Sequence, residues 1–138
     1  MIIDQLAVFS ENKAGMLADI TTLLAEADID IEALTIADTA DFGVLRLIVD
    51  APKKALAVLK LGGFVASLTP VIAVKTGNDP GSLAKVVRMF AEAEVSIEYL
   101  YAFVAREAGT AFMILRVEDR DAGAALLAQN GLGEAFKM

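Results

Sequence analysis

Apolar positions along the chain fall into short runs with two different periods, and their order predicts the elements. Ile2 to Ser10 is dense in Ile, Leu, Val and Phe and reads as a strand. Gly15 to Ala27 follows, with Leu17, Ile20, Leu24 and Ala27 at helical spacing and Asp19, Thr22 and Glu26 on another face. Ile29 to Ala37 and Phe42 to Val49 predict two further strands, joined by a short hairpin connection. Lys53 to Leu61 predicts a second helix, stopped by Gly62-Gly63. Phe64 to Thr69 can supply a fourth, short strand.

The second half repeats this order. Sliding the chain by 66 lays residues 6–34 over 72–100, and twelve of the 29 pairs are identical, among them Asn12/Asn78, Gly15/Gly81, Leu17/Leu83, Ala25/Ala91 and Ile31/Ile97. The offset then becomes 68, aligning Leu45 with Met113, Leu47 with Leu115 and Val49 with Val117. A two-residue insertion near Glu107 to Gly109 explains the change. The second copy therefore predicts Val71–Thr76, Gly81–Ala93, Val95–Val104, Thr110–Val117, Asp121–Gln129 and a weak strand at Glu134–Lys137. A tandem duplication follows, with domains at 1–69 and 70–138. The fold class is α+β: two ferredoxin-like βαββαβ units with antiparallel sheets and both helices of each unit on one face.

Composition narrows the function classes. The chain is 57% hydrophobic with a mean hydropathy of +0.59, yet its longest uncharged stretch, Leu61 to Val74, has 14 residues and includes two glycines and a proline. A helical span takes roughly 20 apolar residues, so no membrane association is expected. The N-terminus lacks the basic region of a signal peptide, which predicts a cytoplasmic protein. Of the apolar residues 25 are alanine, a small helix former suited to closely packed helices. There is no cysteine and no histidine, which removes thiolate and imidazole catalysis and the commonest metal ligands. A net charge of −7 with five scattered arginines argues against nucleic acid. The expectation is a non-enzymatic protein with no catalytic residues, no metal site and no cofactor.

The junctions between first strand and first helix carry the candidate chemistry. They read Asn12-Lys13-Ala14-Gly15-Met16-Leu17 and Asn78-Asp79-Pro80-Gly81-Ser82-Leu83. Each helix ends in Ala-Glu-Ala, and a strand opening Ile-Asp-Ile-Glu or Ser-Ile-Glu follows. This arrangement resembles the ACT domain, a small-molecule regulatory module of amino-acid metabolism, over essentially the whole chain. The segment Ile97 to Phe103 is further similar to small stand-alone proteins made of two ACT domains. The resemblance implies an amino-acid effector bound at an interface between ACT domains. The implied contacts are Asn12, Ala14, Gly15, Met16, Leu17, Asp30 and Ile31 in the first copy. In the second they are Asn78, Pro80, Gly81, Ser82, Leu83, Ser96 and Ile97.

Elementary chemistry supports the same loops. Open amides in the first helical turn and the positive end of the helix dipole suit a carboxylate. Asn and Gly are also ordinary turn and cap residues that need no ligand. Ala14 stands where the family usually has Pro, and Asp30 and Ser96 stand where it often has Asn. Tyr99, Tyr101 and Phe103 alternate on a strand, either as a pocket wall or as packing. Glu32 and Glu98 recur at equivalent positions, as ligand contacts or as solvated charges.

The third strands are apolar on both faces, interrupted by Arg46 and Arg116, which calls for cover on both sides and predicts a homodimer or higher assembly. The expected ligand is a free amino acid or a similar small carboxylate, with a metabolic enzyme as a possible partner. The alternative is a regulatory subunit that docks on such an enzyme with little or no ligand binding of its own.

Overall fold

A computed structural model describes the chain except for residues 12, 39–41, 137 and 138. Ten elements follow one another: β1 (Ile2–Glu11), α1 (Met16–Glu26), β2 (Ile31–Asp38), β3 (Phe42–Val49), α2 (Pro52–Leu61), β4 (Val65–Gly77), α3 (Ser82–Glu92), β5 (Ile97–Val104), β6 (Thr110–Val117) and α4 (Arg120–Gln129). No helix among the described residues is long and apolar enough to cross a membrane. Two compact units result, one of Asp4–Pro70 and the other of Met1–Ile3 with Val71 onward.

In the unit Asp4–Pro70 the strand order is β2-β3-β1-β4, with β3 antiparallel to both neighbours. Leu6 faces Leu47 across the β1/β3 ladder, and Leu34 faces the same Leu47 from β2. The other unit has the order β5-β6-β4, with Ile72 opposite Leu115 and Leu100 opposite that residue from the far side. Its fourth strand is not the expected Glu134–Lys137. Residues 134–136 adopt no regular structure, and Lys137 lies outside the described residues. The place beside β4 is taken instead by Met1–Ile3: Met1 N donates to Ala73 O at 3.1 Å, and Ala73 N donates to Met1 O at 2.8 Å. Such a reciprocal exchange is an antiparallel pair. The two short strands expected at 64–69 and 71–76 are one continuous strand, β4, which runs through Pro70. That proline precedes the first residue of the β6 ladder, Ile72, so its missing N–H removes no bond there.

Each unit buries its own core between sheet and helices, and eight positions of the two cores correspond. Leu6, Val8, Ile20, Leu24, Leu45, Leu47, Val49 and Leu59 form one; Ile72, Val74, Val86, Phe90, Met113, Leu115, Val117 and Leu127 form the other. On the opposite face of each sheet, Ala7, Ala33 and Ile48, and likewise Ala73, Phe112 and Ile114, are already buried within the single chain. The bare second face expected from the third strands is therefore reduced to a few positions. The largest are Phe42, 61% exposed, and Phe9, 47% exposed.

All four helices stop in the same way. In α1, Asp28 N donates to Ala25 O and Ile29 N to Leu24 O; in α3, Glu94 N donates to Ala91 O and Val95 N to Phe90 O. In α2 and α4 the equivalent pairs run from Gly63 to Lys60 with Phe64 to Leu59, and from Gly131 to Ala128 with Leu132 to Leu127. These paired bonds are Schellman motifs, which need one left-handed residue. Gly63 and Gly131 supply it at φ 86° and 72°, whereas Asp28 and Glu94 do so at φ 58° and 55°.

Candidate functional site

The two strand-to-helix turns adopt one geometry. Gly15 (φ 88°, ψ −12°) and Gly81 (φ 93°, ψ −13°) stand at the N-caps of α1 and α3 in the left-handed region. An L-residue with a side chain resists that conformation, so glycine is required by the turn itself. Neither glycine is there to permit close packing, because a Cβ on either would meet nothing within 4 Å. Neither helix has a side-chain hydrogen bond capping its N-terminus. The turns are closed by backbone alone: Met16 N donates to Lys13 O at 3.3 Å, and Ser82 N donates to Asp79 O at 3.1 Å. α2, which opens on Pro52 after a non-glycine N-cap, Ala51, likewise has no side-chain cap, whereas α4 is capped by Asp119, whose carboxylate accepts from Ala122 N at 3.0 Å. The helices that begin at the candidate loops are thus the ones begun by a left-handed glycine, a form suited to an anion above the first turn.

Each turn edges a cavity. Beside α1 a cavity of about 240 Å³ is lined by Met16, Leu17, Ile20, Ile36 and Leu45, with Ser10, Glu11, Lys13 and Gly43. Beside α3 a cleft of about 570 Å³ is lined by Lys75, Thr76, Gly77, Ser82, Lys85, Val86 and Met89, with Gly109, Thr110, Asn130 and Leu132. The offset of 66 makes Ser10/Thr76, Glu11/Gly77, Met16/Ser82 and Ile20/Val86 equivalent, so the two cavities overlap at these positions of the repeat, whereas Lys85, Met89, Asn130 and Leu132 match Asp19, Leu23, Gly62 and Phe64 of a separate cleft in the first unit. Their charges differ. Lys13 pairs with Glu11 at 2.5 Å on the first rim, and that hydrogen bond raises the lysine's pKa above its ordinary value. In the second cleft Lys75 donates to Glu107 at 2.6 Å, which holds that carboxyl below the usual carboxylate range.

The structure brings together some of the residues expected from sequence and separates others. Gly15, Met16 and Leu17 are contiguous at the head of α1, with Ala14 exposed beside them; Asn12 lies outside the described residues. Asn78, Pro80, Gly81, Ser82 and Leu83 form the second loop, anchored by Asn78 N donating to Gly109 O at 2.9 Å. Asp30, Ile31, Ser96 and Ile97 lie past the other end of their helices. An eleven-residue helix is about 16 Å long, so within one unit they share no ligand with the glycine turn. They fix the entry to β2 and β5: Asp50 N donates to Asp30 O and Asp50 Oδ1 accepts from Asp30 N, while Glu118 N donates to Ser96 O.

Of the other flagged residues, Glu98 meets Arg116 at 3.0 Å on the sheet surface. Phe103 packs against Phe112 at 5.3 Å, and Phe112 stacks on Phe136 at 4.8 Å, which assigns Phe103 to a ring cluster. The cavity walls contributed by β1, β2 and β3, such as Ser10, Ile36 and Leu45, escape a reading centred on the loop motif. For Ser10 alone the repeat is an available signal, since Ser10/Thr76 recur in register.

The element order, the duplication and the matched turns agree with one comparison that covers nearly the whole chain: the family described as an ACT domain pair matches residues 1–133. The chain belongs to the ACT domain pair family. Among solved structures, the ACT pair protein is similar to protein BT0572 from Bacteroides thetaiotaomicron. The two are 38% identical over 96% of this chain and 90% of that one, with a TM-score of 0.90. It shares its fold with the ligand-free regulatory subunit of aspartate kinase from Thermus thermophilus, at 19% identity, 94% and 96% coverage and a TM-score of 0.68. The same subunit from Thermus flavus is 18% identical, with 94% coverage of each chain and a TM-score of 0.60. No curated protein matches the ACT pair chain.

Proposed function

We propose that this ACT domain pair, divided at 69/70, is a non-enzymatic amino-acid-binding regulatory protein of the cytoplasm. Its effector, a free amino acid or similar small carboxylate, binds at an interface between ACT domains. The observation that carries the reading is the matched pair of left-handed glycine caps, Gly15 and Gly81, each without a side-chain cap and each followed by a residue, Met16 or Ser82, that lines a cavity. A ligand carboxylate would take the place of the missing cap at the positive end of the helix. Asp30 and Ser96 come into use only if a neighbouring domain supplies them, which is the reason for placing the effector at a domain interface. A homodimer through the exposed apolar residues Phe9 and Phe42 belongs to the same proposal. Ligand binding would favour one domain arrangement and pass that preference to a partner enzyme.

The shared fold with regulatory subunits of aspartate kinase favours a second reading, in which the chain docks on a metabolic enzyme and binds little or no ligand itself. Thermal unfolding in the presence of each of the twenty amino acids separates the two. A ligand at 100 times its Kd adds about 2.7 kcal/mol, a shift of several degrees for a chain of this size. No shift with any of the twenty would remove the first reading and leave the second.

A further inference from the structure

The two cavities overlap at four equivalent positions of the repeat but present different walls. In the first, the floor is Ile20 and Leu45, 1% and 4% exposed, while the rim carries Leu17 and Ile36, 41% and 51% exposed. Large apolar side chains left wet around an apolar floor gain free energy when a ligand's apolar group covers them. The charges at this rim, Lys13 and Glu11, cancel each other, so the mouth offers one cation and one anion to a zwitterionic head group.

The second cleft lacks this apolar rim. Ser82 stands at the position of Met16, and Ala102, at the position of Ile36, is not among the residues that line the cleft. Lys75 is engaged by Glu107, and Lys85 lines the same cleft. Both charged residues that line the second cleft are lysines.

We propose that the duplicated sites have diverged in ligand class: the first takes an amino acid with an aliphatic side chain, the second one with an acidic side chain. The proposal rests on the amino-acid-binding reading above. In the first site the aliphatic group lies over Ile20, Leu45 and Ile36, with the carboxylate at the uncapped first turn of α1 and the ammonium toward Glu11. In the second the side-chain carboxylate meets Lys85.

Isothermal titration of the full chain with L-leucine and with L-glutamate tests this, using wild type, Ile36→Asp and Lys85→Glu. Both substituted positions are exposed, so the fold is expected to persist, and unfolding temperatures of the unliganded variants check it. Should either variant lose stability, Ile36→Thr and Lys85→Met repeat the comparison. The expected result is two independent sites. Ile36→Asp weakens leucine about tenfold and leaves glutamate unchanged; Lys85→Glu weakens glutamate about tenfold and leaves leucine unchanged. Competition of leucine and glutamate for one site overturns the proposal, as does equal sensitivity or insensitivity of both ligands to both variants. Binding of other amino acids but neither of these two overturns it while sparing the amino-acid reading. Failure of all twenty to bind removes that reading itself.

Discussion

The two units solve one packing problem with different side chains. The unit Asp4–Pro70 buries Leu24 of its first helix and Ala55 of its second in one core, and the equivalent positions of the other unit hold Phe90 and Gly123. The larger residue on one helix is matched by the smaller on the other. A Cβ on Gly123 would come within 3.2 Å of Phe90 Cε1 and within 3.0 Å of both Ile72 Cδ1 and Val117 Cγ2. A glycine inside a helix costs about 1 kcal/mol relative to alanine, and here Ile72, Val117 and the Phe90 ring together leave little room for a Cβ. The cavities carry the opposite lesson, since nothing there restores the lost apolar wall. Core volume is conserved between the copies, whereas cavity chemistry is not.

The sharpest way to break this comparison is to transplant one half of the pair. Leu24→Phe beside Ala55 is expected to destabilise by about 2–3 kcal/mol through overpacking, and adding Ala55→Gly should recover part of that loss. The reverse cycle, Phe90→Leu with Gly123→Ala, should likewise show positive coupling by urea denaturation. Additive effects would mean the pairs do not compensate.

Next in size are the glycine turns. Gly15→Ala and Gly81→Ala should each cost about 1–2 kcal/mol, because both occupy φ near 90° and neither has a clashing neighbour. The equality of the two values is the point to check, since a large inequality would show that the turns are not equivalent.

A smaller and opposite effect is expected at the helix ends. Asp28→Gly and Glu94→Gly relieve a left-handed non-glycine residue and remove a negative charge from a helix C-terminus, so each should stabilise by about 1 kcal/mol.

The smallest effect lies in the Lys75–Glu107 pair, which is solvent-exposed. The lysine's hydrogen bond lowers the Glu107 pKa, so its contribution to stability is present above the ordinary glutamate range and lost as pH falls through the lowered value. Carboxyl resonances followed through an acid titration should show Glu107 titrating lower in wild type than in Lys75→Ala.

The reading from sequence captured what local pattern determines. β3 and β6 carry the expected bounds, Phe42–Val49 and Thr110–Val117, because glycine, charge and turn residues bracket strongly apolar runs. The changing offset was visible as well: α1 and α3 lie 66 apart, α2 and α4 lie 68 apart, and the insertion falls between β5 and β6. The fourth strand of the second unit was misplaced because pairing partners are decided by long-range geometry. Glu134–Phe136 is a short, weak strand former, whereas Met1–Ile3 already extends a strand lying against β4. The loop residues of the candidate site were visible through Gly15 and Gly81. Ile36 and Leu45 were not, because a cavity wall is assembled from strands distant in sequence and each residue reads individually as core.

The most direct measurement of the central claim is backbone amide chemical-shift mapping of the full chain as each of the twenty amino acids is added. At least one amino acid is expected to produce saturable shifts centred on the first turns of α1 or α3, at Met16 to Ala18 or Ser82 to Ala84. The absence of saturable shifts with all twenty, or shifts confined to regions remote from both turns, would contradict it.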